Sequence, residues 1–598
     1  MKNDIRRTFG KTPKMLDLFS NLTGVEYPYA KYAQCVVPLF AAGGMENITA
    51  TTLSERAPFD ERAALDHDEE GLISHELAHQ WFGDMVTCKS WQHVWLNEGF
   101  ATFMAHVWDE HERGRDDYLY SMAHTLRGVA EGDSVDLSSG VVFPFYESPN
   151  ETFFRHASNP YGKGCAVIHM LRQSLGDDLF WRCIGEYLKR YAWKTAETDD
   201  LRKVVDELSG RSYERFFHQW LYRPGCPRIG VSYEWNEGAR EARVNFEQTQ
   251  KISKESPVFS ADINVWLVFP DGKITKHIVR MDSRAAALTV PCAKEPVQIC
   301  VDPNPALLAV FEMNLPEPML LRQLKEGPTI AARVHAMRAF QDKDSADVRA
   351  VLRSILVDES VHNGLRRDAA AALGRMRREP CRDILLESLA DGKAIKDHKV
   401  RAAAVSALGS YKHPLVAATL LRFAAKDLTY TKKPSYQDQI RTSALSSLAA
   451  LEEPRGLEPA LALAAYGQPA SSRPAAIAAL GQLGKIESAR TKVRTFLIDL
   501  LNDPQPRAQR AAISALAELA DPKSLPALQA YADSSAPRDR RQSAKNAIDT
   551  INKKAGESSI ISDLRSRMEK LEKYREESEK RAAKSKAETK GDTTPAKP

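Results

Sequence analysis

The sequence predicts a multidomain, mainly α protein with a β part, and three observations predict it. His75-Glu76-Leu77-Ala78-His79 is followed, after eighteen intervening residues, by Glu98 in an apolar, aromatic setting. Between residues 229 and 301 the apolar period shortens from helical spacing to alternation. From about Leu320 the chain becomes alanine- and leucine-rich and repeats every 32 to 40 residues.

The first region rests on its metal-ligand spacing. Residues at i and i+4 leave one face of a helix, so His75 and His79 can reach the same ion. Glu98 adds a third ligand from a second helical segment. One position of a tetrahedral Zn²⁺, one ion per chain, is then left for water. Glu76 lies between the histidines but one step round the helix. Its carboxylate can face that water without binding the metal, acting as general base and then passing the proton to a leaving amine. Asn97 and Thr102 could orient the ligands, although either could equally serve a local backbone group. With fifteen histidines in 598 residues, the histidine pair alone is a modest signal. The placed glutamate makes the reading a zinc hydrolase.

Two further segments carry a family resemblance. Upstream, Phe40-Ala41-Ala42-Gly43-Gly44-Met45-Glu46-Asn47 resembles the Gly-Ala-Met-Glu-Asn signature of the zinc aminopeptidases related to membrane alanyl aminopeptidase. These are gluzincins with a thermolysin-like catalytic domain. Downstream, Tyr161-Gly162-Lys163-Gly164-Cys165-Ala166 resembles that family's Tyr-x-Lys-Gly-Ala segment. Signature, metal helix, third ligand and tyrosine also follow in the family's order, and the resemblance covers about residues 10–230.

The resemblance implies an aminopeptidase acting on peptides with a free N-terminus. Glu46 would bind the α-ammonium through a charge-assisted hydrogen bond that internal peptide bonds cannot offer. Gly43, Gly44, Met45 and Asn47 would complete the substrate-binding segment, with the glycines leaving room for an extended backbone or simply forming a bulge. Gly44 replaces the family's usual alanine, read as a small departure. Tyr161 would stabilise the oxyanion. The family also places a β-rich domain before the signature, whereas Gly43 lies only forty-odd residues from the start. The expectation is a truncated start or a minimal variant, the former favoured; the missing domain would roof the site and contact the amine a second time. Readings of a different class are a non-catalytic scaffold of the same fold and, subsidiary, an epoxide hydrolase at the same zinc. A scaffold has no physical need to keep base, metal set, amine site and oxyanion donor together. The preferred N-terminal residue is not legible.

The catalytic region is expected over residues 1–227, ending where Arg223-Pro224-Gly225-Cys226-Pro227 stops any helix. Residues 229–235, 242–246 and 263–269 alternate, 270–273 form a turn and 297–301 close the set. This predicts a small β-sandwich over 228–316. Over 317–555, segments ending at Phe340, Leu373, Leu408, Leu448, Leu480, Leu516 and Ile548 align. Seven residues before these ends stand Arg333, Arg366, Arg401, Arg441, Arg473, Gln509 and Arg541. The pattern resembles HEAT repeats, an α-solenoid able to bind a protein partner or only to shape the active-site chamber. The recurring arginine is expected to tie adjacent repeats together. Residues 556–598 are rich in lysine and glutamate and read as a frayed helix leading into a disordered tail.

Composition agrees with a soluble, folded chain, at 43% hydrophobic and 27% charged residues. A formal charge of +4 is too small for this length to argue for nucleic acid or a membrane surface. No stretch reaches the roughly 18 apolar residues of a transmembrane segment, and the first residues form no signal peptide. The default expectation is cytoplasmic, with export left open by the truncated start. Eight cysteines lack C-x-x-C spacing and read as reduced and mostly buried, a Cys292–Cys300 pair remaining open.

Overall fold

Pro13 sits in the first turn of a helix at Thr12–Thr23, and Gly24, with φ 62°, ends it in the left-handed region. The structure is a computed structural model. It describes residues 2–556 other than 39, 41, 134–135, 155–158, 254–255, 341–342, 391–393 and 426–434, together with Met568, Leu571 and Arg575. The expected tail therefore lies almost wholly outside the described residues. Two compact units are present, Met1–Ser447 and Leu448–Pro598.

The first unit opens with α1 (Lys2–Phe9) and α2 (Thr12–Thr23), then β1 (Ala33–Val37), β2 (Gly44–Met45) and β3 (Ala50–Ser54). These strands form one sheet in the order β1-β3-β2. β2 runs antiparallel to β3, with Gly44 opposite Leu53 and Met45 opposite Thr52. There follow α3 (Glu70–Ala78), β4 (Val86–Cys88), α4 (Trp95–Arg113), α5 (Arg115–Asp133), α6 (Pro149–Phe154), α7 (Gly162–Leu175), α8 (Asp177–Tyr191), β5 (Lys194–Ala196) and α9 (Thr198–Ser209). Leu77, Trp81, Phe82, Trp95, Phe100 and Trp108 are buried. Phe82 stacks on Phe100 with ring centroids 4.4 Å apart, pinning the end of the α3 segment to α4.

The β region contains β6 (Arg228–Asn236), β7 (Glu241–Gln248), β8 (Ala261–Val268), β9 (Ile274–Met281), β10 (Ala285–Pro291), β11 (Gln298–Val301) and β12 (Val310–Asn314). They form a four-stranded sheet, β10-β7-β6-β12, and a three-stranded one, β11-β8-β9. β10 and β12 are additions to the sequence reading, while β9 is the strand that follows the turn at 270–273. In β9 and β10 mostly half-buried positions alternate with exposed ones, so their apolar signal is faint. The eight cysteines are free thiols. No described helix is long and apolar enough to cross a membrane.

Helical pairs continue the first unit: α11 (Glu317–Glu326, after the short α10 at Glu214–Phe217) with α12 (Ile330–Ala339), α13 (Ala346–Val357) with α14 (Asn363–Met376), α15 (Glu379–Leu389) with α16 (His398–Leu408), and α17 (Pro414–Ala424) with α18 (Asp438–Ala450). At four of its positions the recurring arginine bonds within its own helical pair, and one of these four also reaches the next. Arg333 Nε donates to Leu324 O, Arg366 Nε to Leu356 O and Arg441 Nε to Ala424 O. Each therefore closes its own helical pair, answering a carbonyl left bare at the first helix's C-terminus. The second unit repeats this in α19 (Leu457–Ala464) and α20 (Arg473–Leu483), where Arg473 Nε donates to Ala464 O. There the same guanidinium also pairs with Asp503, reaching the next pair as well.

The first unit's helical pairs grip the loop that enters α3. The Asp66 carboxylate, with no exposed side-chain surface, pairs with His398 Nε2 and accepts from Asp438 N and Gln439 N, both at 3.0 Å. Tyr436 OH donates to Asp60 Oδ2 at 2.8 Å, and the Arg62 guanidinium lies 4.5 Å from the centre of the Tyr436 ring.

Candidate active site

α3, with His79 directly after it, and α4 each supply part of the candidate ligand set, and a pair of glycines places Tyr161 beside it. A Cβ on Gly99 would lie 2.9 Å from Gly164 Cα, and one on Gly164 would lie 2.9 Å from Gly99 Cα. α4 and α7 therefore touch backbone to backbone. Glu98, next to Gly99, and Tyr161, at the N-cap of α7, come into one cleft by that contact.

The three proposed ligand atoms form a nearly equilateral triangle. His75 Nε2 and His79 Nε2 are 3.2 Å apart, and each lies 3.3 Å from Glu98 Oε2. These three residues also form a group whose ligand atoms could hold a metal ion. A tetrahedral Zn²⁺ with ligands at about 2.0–2.1 Å has ligand–ligand edges of roughly 3.3–3.4 Å, so the donor set fits. His79 Nδ1 lies 2.9 Å from Phe82 O; as an N–H it donates there and leaves Nε2 a lone pair for the triangle. Among the described residues the buried Glu98 Oε2 has no hydrogen-bond partner, as suits an atom directed at a cation.

The local field favours positive charge at this point. Burial pulls the His79 imidazole down, but Glu98, Glu46 and Glu76 outweigh it and raise its pKa to about 10. Glu98 answers: burial lifts its carboxyl, yet the two imidazoles hold it at about 2. The positive charge that this field draws is a proton on His79 or, equally, a metal cation.

Glu76 is buried. Burial, with the Glu46 and Glu98 charges, pushes its carboxyl up to about 8 against the opposing pull of His79. Among the described residues its Oε2 has no hydrogen-bond partner. Its other side rests on the signature strand: a Cβ on Gly44 would fall 2.3 Å from Glu76 Oε1. The glycine in place of alanine thus leaves the space that the Glu76 carboxylate occupies. A Cβ on Gly43 would lie 3.2 Å from Leu72 Cδ1.

Glu46 Oε1 stands 3.9 Å from His79 Nδ1. Met45 is 39% exposed at the edge of β2, while Asn47 accepts from Thr52 Oγ1 at 2.7 Å and closes the turn. The Tyr161 ring stacks on His75 with centroids 6.1 Å apart. Burial and the Glu98 carboxylate, which its hydroxyl meets, raise its pKa well above the usual phenol value. Asn97 turns its Oδ1 to Cys88 N at 3.2 Å, serving a backbone group as its alternative reading allowed. Sequence reasoning missed three parts: the Phe82 carbonyl, and the side chains of Gln80 and Asp84. The signal for all three was proximity to His79 at the end of α3.

Comparison with known proteins matches residues 7–220 to the family described as the peptidase family M1 domain. By that match residues 7–220 are similar to an M1 peptidase domain. Residues 458–549 match HEAT repeats, and residues 365–391 match a PBS lyase HEAT-like repeat. Among similar curated proteins, Aminopeptidase M1-D of Oryza sativa subsp. japonica is 32% identical over 267 residues, covering 43% of this chain and 28% of that protein. Probable aminopeptidase 1 of Sulfurisphaera tokodaii is 33% identical over 229 residues, covering 37% of this chain and 28% of its own length. The chain thus spans under a third of the length of these relatives. The crystal structure of Legionella pneumophila aminopeptidase A in complex with aspartic acid aligns with 90% of this chain and 63% of that one, at TM-score 0.59 and 16% identity. At that identity the likeness is one of fold.

Proposed function

We propose that the chain is a zinc-dependent aminopeptidase, with His75, His79 and Glu98 holding one Zn²⁺. The observation that carries this reading is the second carboxylate, Glu46, 3.9 Å from the imidazole of His79. A substrate whose carbonyl sits at the triad brings its N-terminal ammonium into reach of Glu46, while an internal peptide bond offers no cation there. Zinc, when bound, supplies a Lewis acid that polarises the scissile carbonyl and makes water more acidic.

The chain's own groups do the rest. Glu76 Oε2, free of protein partners, takes the proton of the attacking water and delivers it to the nitrogen of the leaving residue. The Tyr161 hydroxyl donates to the carbonyl oxygen as negative charge develops on it. Glu46 accepts from the ammonium and aligns the first peptide bond with both groups. Met45 and the flat backbone of Gly43 and Gly44 border the path of the substrate chain. The helical repeats belong to a class that commonly binds partner proteins, and a partner on them is part of this reading.

The test compares leucyl and N-acetyl-leucyl fluorogenic substrates with the parent chain and Glu46→Ala. Losing one charge-assisted contact, about 1.5–3 kcal/mol, should raise KM for the free-amine substrate about ten- to a hundredfold. The blocked substrate should be poor for both proteins. Efficient cleavage of blocked peptides at internal bonds, unaffected by Glu46→Ala, would overturn the reading.

A further inference from the structure

We propose that Gln80 is the positioning residue of the amine site: it fixes where the Glu46 carboxylate stands relative to the metal ligands. This rests on the aminopeptidase reading above. Gln80 directly follows His79 and is fully buried. Its Nε2 donates to Glu46 O at 3.0 Å and to Asp84 Oδ2 at 2.7 Å. Its Oε1 accepts from Thr49 N at 2.9 Å, while Tyr27 OH, 3.4 Å away, stands nearer Lys31 O, at 2.9 Å. A backbone N–H is only a donor, so the bond from Thr49 settles which end of the amide is oxygen. Both Nε2 hydrogens and the oxygen are then used, and one side chain holds the backbone at both ends of residues 46–49.

That backbone needs holding. Thr49 has φ 62°, a region that a β-branched residue enters only when its surroundings compel it. The bond from Thr49 N to Gln80 is one constraint, and the bond from Ala33 N to Thr49 O, at 2.8 Å, is another. The turn's other bonds, from Ala50 N to Asn47 O and from Thr52 Oγ1 to Asn47 Oδ1, stay within residues 47–52. They shape the turn without tying it to the metal segment. Gln80 makes that tie by hydrogen bonds and makes it beside a ligand, so it links the amine-site turn directly to the metal segment.

The consequence is a coupling specific to Glu46. Gln80→Met keeps the volume and removes its three bonds to Glu46 O, Asp84 and Thr49 N. A shift of about 1 Å in a substrate-positioning group costs up to about a hundredfold. The test is a double-mutant cycle of full chains: parent, Gln80→Met, Glu46→Ala and the double variant. The readouts are KM and kcat on a leucyl substrate, zinc per chain, and leucinamide affinity by titration calorimetry. Gln80→Met should raise KM about ten- to a hundredfold, weaken leucinamide in step, move kcat less and leave zinc at one per chain. In the Glu46→Ala background the same substitution should cost little more. An equal cost in both backgrounds would make Gln80 merely structural and overturn the proposal. If Glu46→Ala itself left KM and leucinamide affinity unchanged, the amine-site reading would fall and take this one with it. Should Gln80→Met not be recovered folded, the cycle runs with Gln80→Glu. That variant keeps an acceptor for Thr49 N but turns an oxygen toward Glu46 O and Asp84, and the same pattern is expected.

Discussion

Replacing Gly164 with alanine separates the packing of the site from its chemistry. The new methyl would lie 2.9 Å from Gly99 Cα and 3.4 Å from Trp95 Cβ. Carbon atoms rest comfortably at about 3.5–4.0 Å, so α4 and α7 must part by roughly 1 Å. Overpacking of this kind costs about 1–3 kcal/mol. Alanine returns up to about 1 kcal/mol of helix propensity at the same position. The net loss of stability is therefore small, about 0–2 kcal/mol. Activity should fall much further. Glu98 rides on one helix and Tyr161 on the other, and a misplacement of about 1 Å can cost a hundredfold. Urea unfolding together with kcat on a leucyl substrate would measure both effects. A folded Gly164→Ala protein with near-parental kcat would refute the claim that the glycine contact sets the catalytic geometry. So would an activity loss no larger than the fraction unfolded.

Other outcomes follow from the same geometry. His79→Ala should fail to retain stoichiometric zinc after dialysis, and metal analysis showing one zinc per chain would contradict the ligand assignment. Glu76→Gln should keep its zinc and lower kcat by roughly 10²–10⁴, the span for loss of a general base; Tyr161→Phe should lower kcat with little change in KM. Near-parental turnover in both would remove the mechanism. Asp66→Asn breaks a buried pair and should cost about 3–5 kcal/mol in a thermal or urea melt. Its pH dependence has a definite sign. Against the pull of burial, pairing with His398 and the N–H bonds from residues 438 and 439 hold the Asp66 carboxyl below its usual range. Its stabilisation is thus full above the unfolded-chain value of about 4 and is lost as pH falls through the lower folded value, so the parent–variant gap should close on acidification.

What the sequence discloses is what depends on spacing along one element. His75 and His79 share a helix face by periodicity alone, and Glu98 and Tyr161 were findable because short motifs surround them. The alternating β segments and the repeat register were legible for the same reason. Contacts between elements were not. Nothing local marks Gly99 and Gly164 as partners, or assigns Gln80 to a turn that contains residues 46–49. The recurring arginine shows the limit well: its register was plain, but its acceptor, a carbonyl at the end of the preceding helix, needed the folded pair. Gly44 looked like a neutral exchange because the carboxylate it accommodates is more than thirty residues away.

The Asp66 junction bears on the order in which this chain can be completed. Gln439, which donates to that carboxylate, follows it by 373 residues. At a synthesis rate of about 5–20 residues per second, the partner emerges roughly 19–75 s after Asp66 does. Through that interval the carboxylate has to remain in water, since burying it without its partners is too costly. Only three residues separate it from Glu70, the first residue of α3. The entry to the metal helix, though encoded early, therefore reaches its final form only after the last helix of the first unit has begun to form.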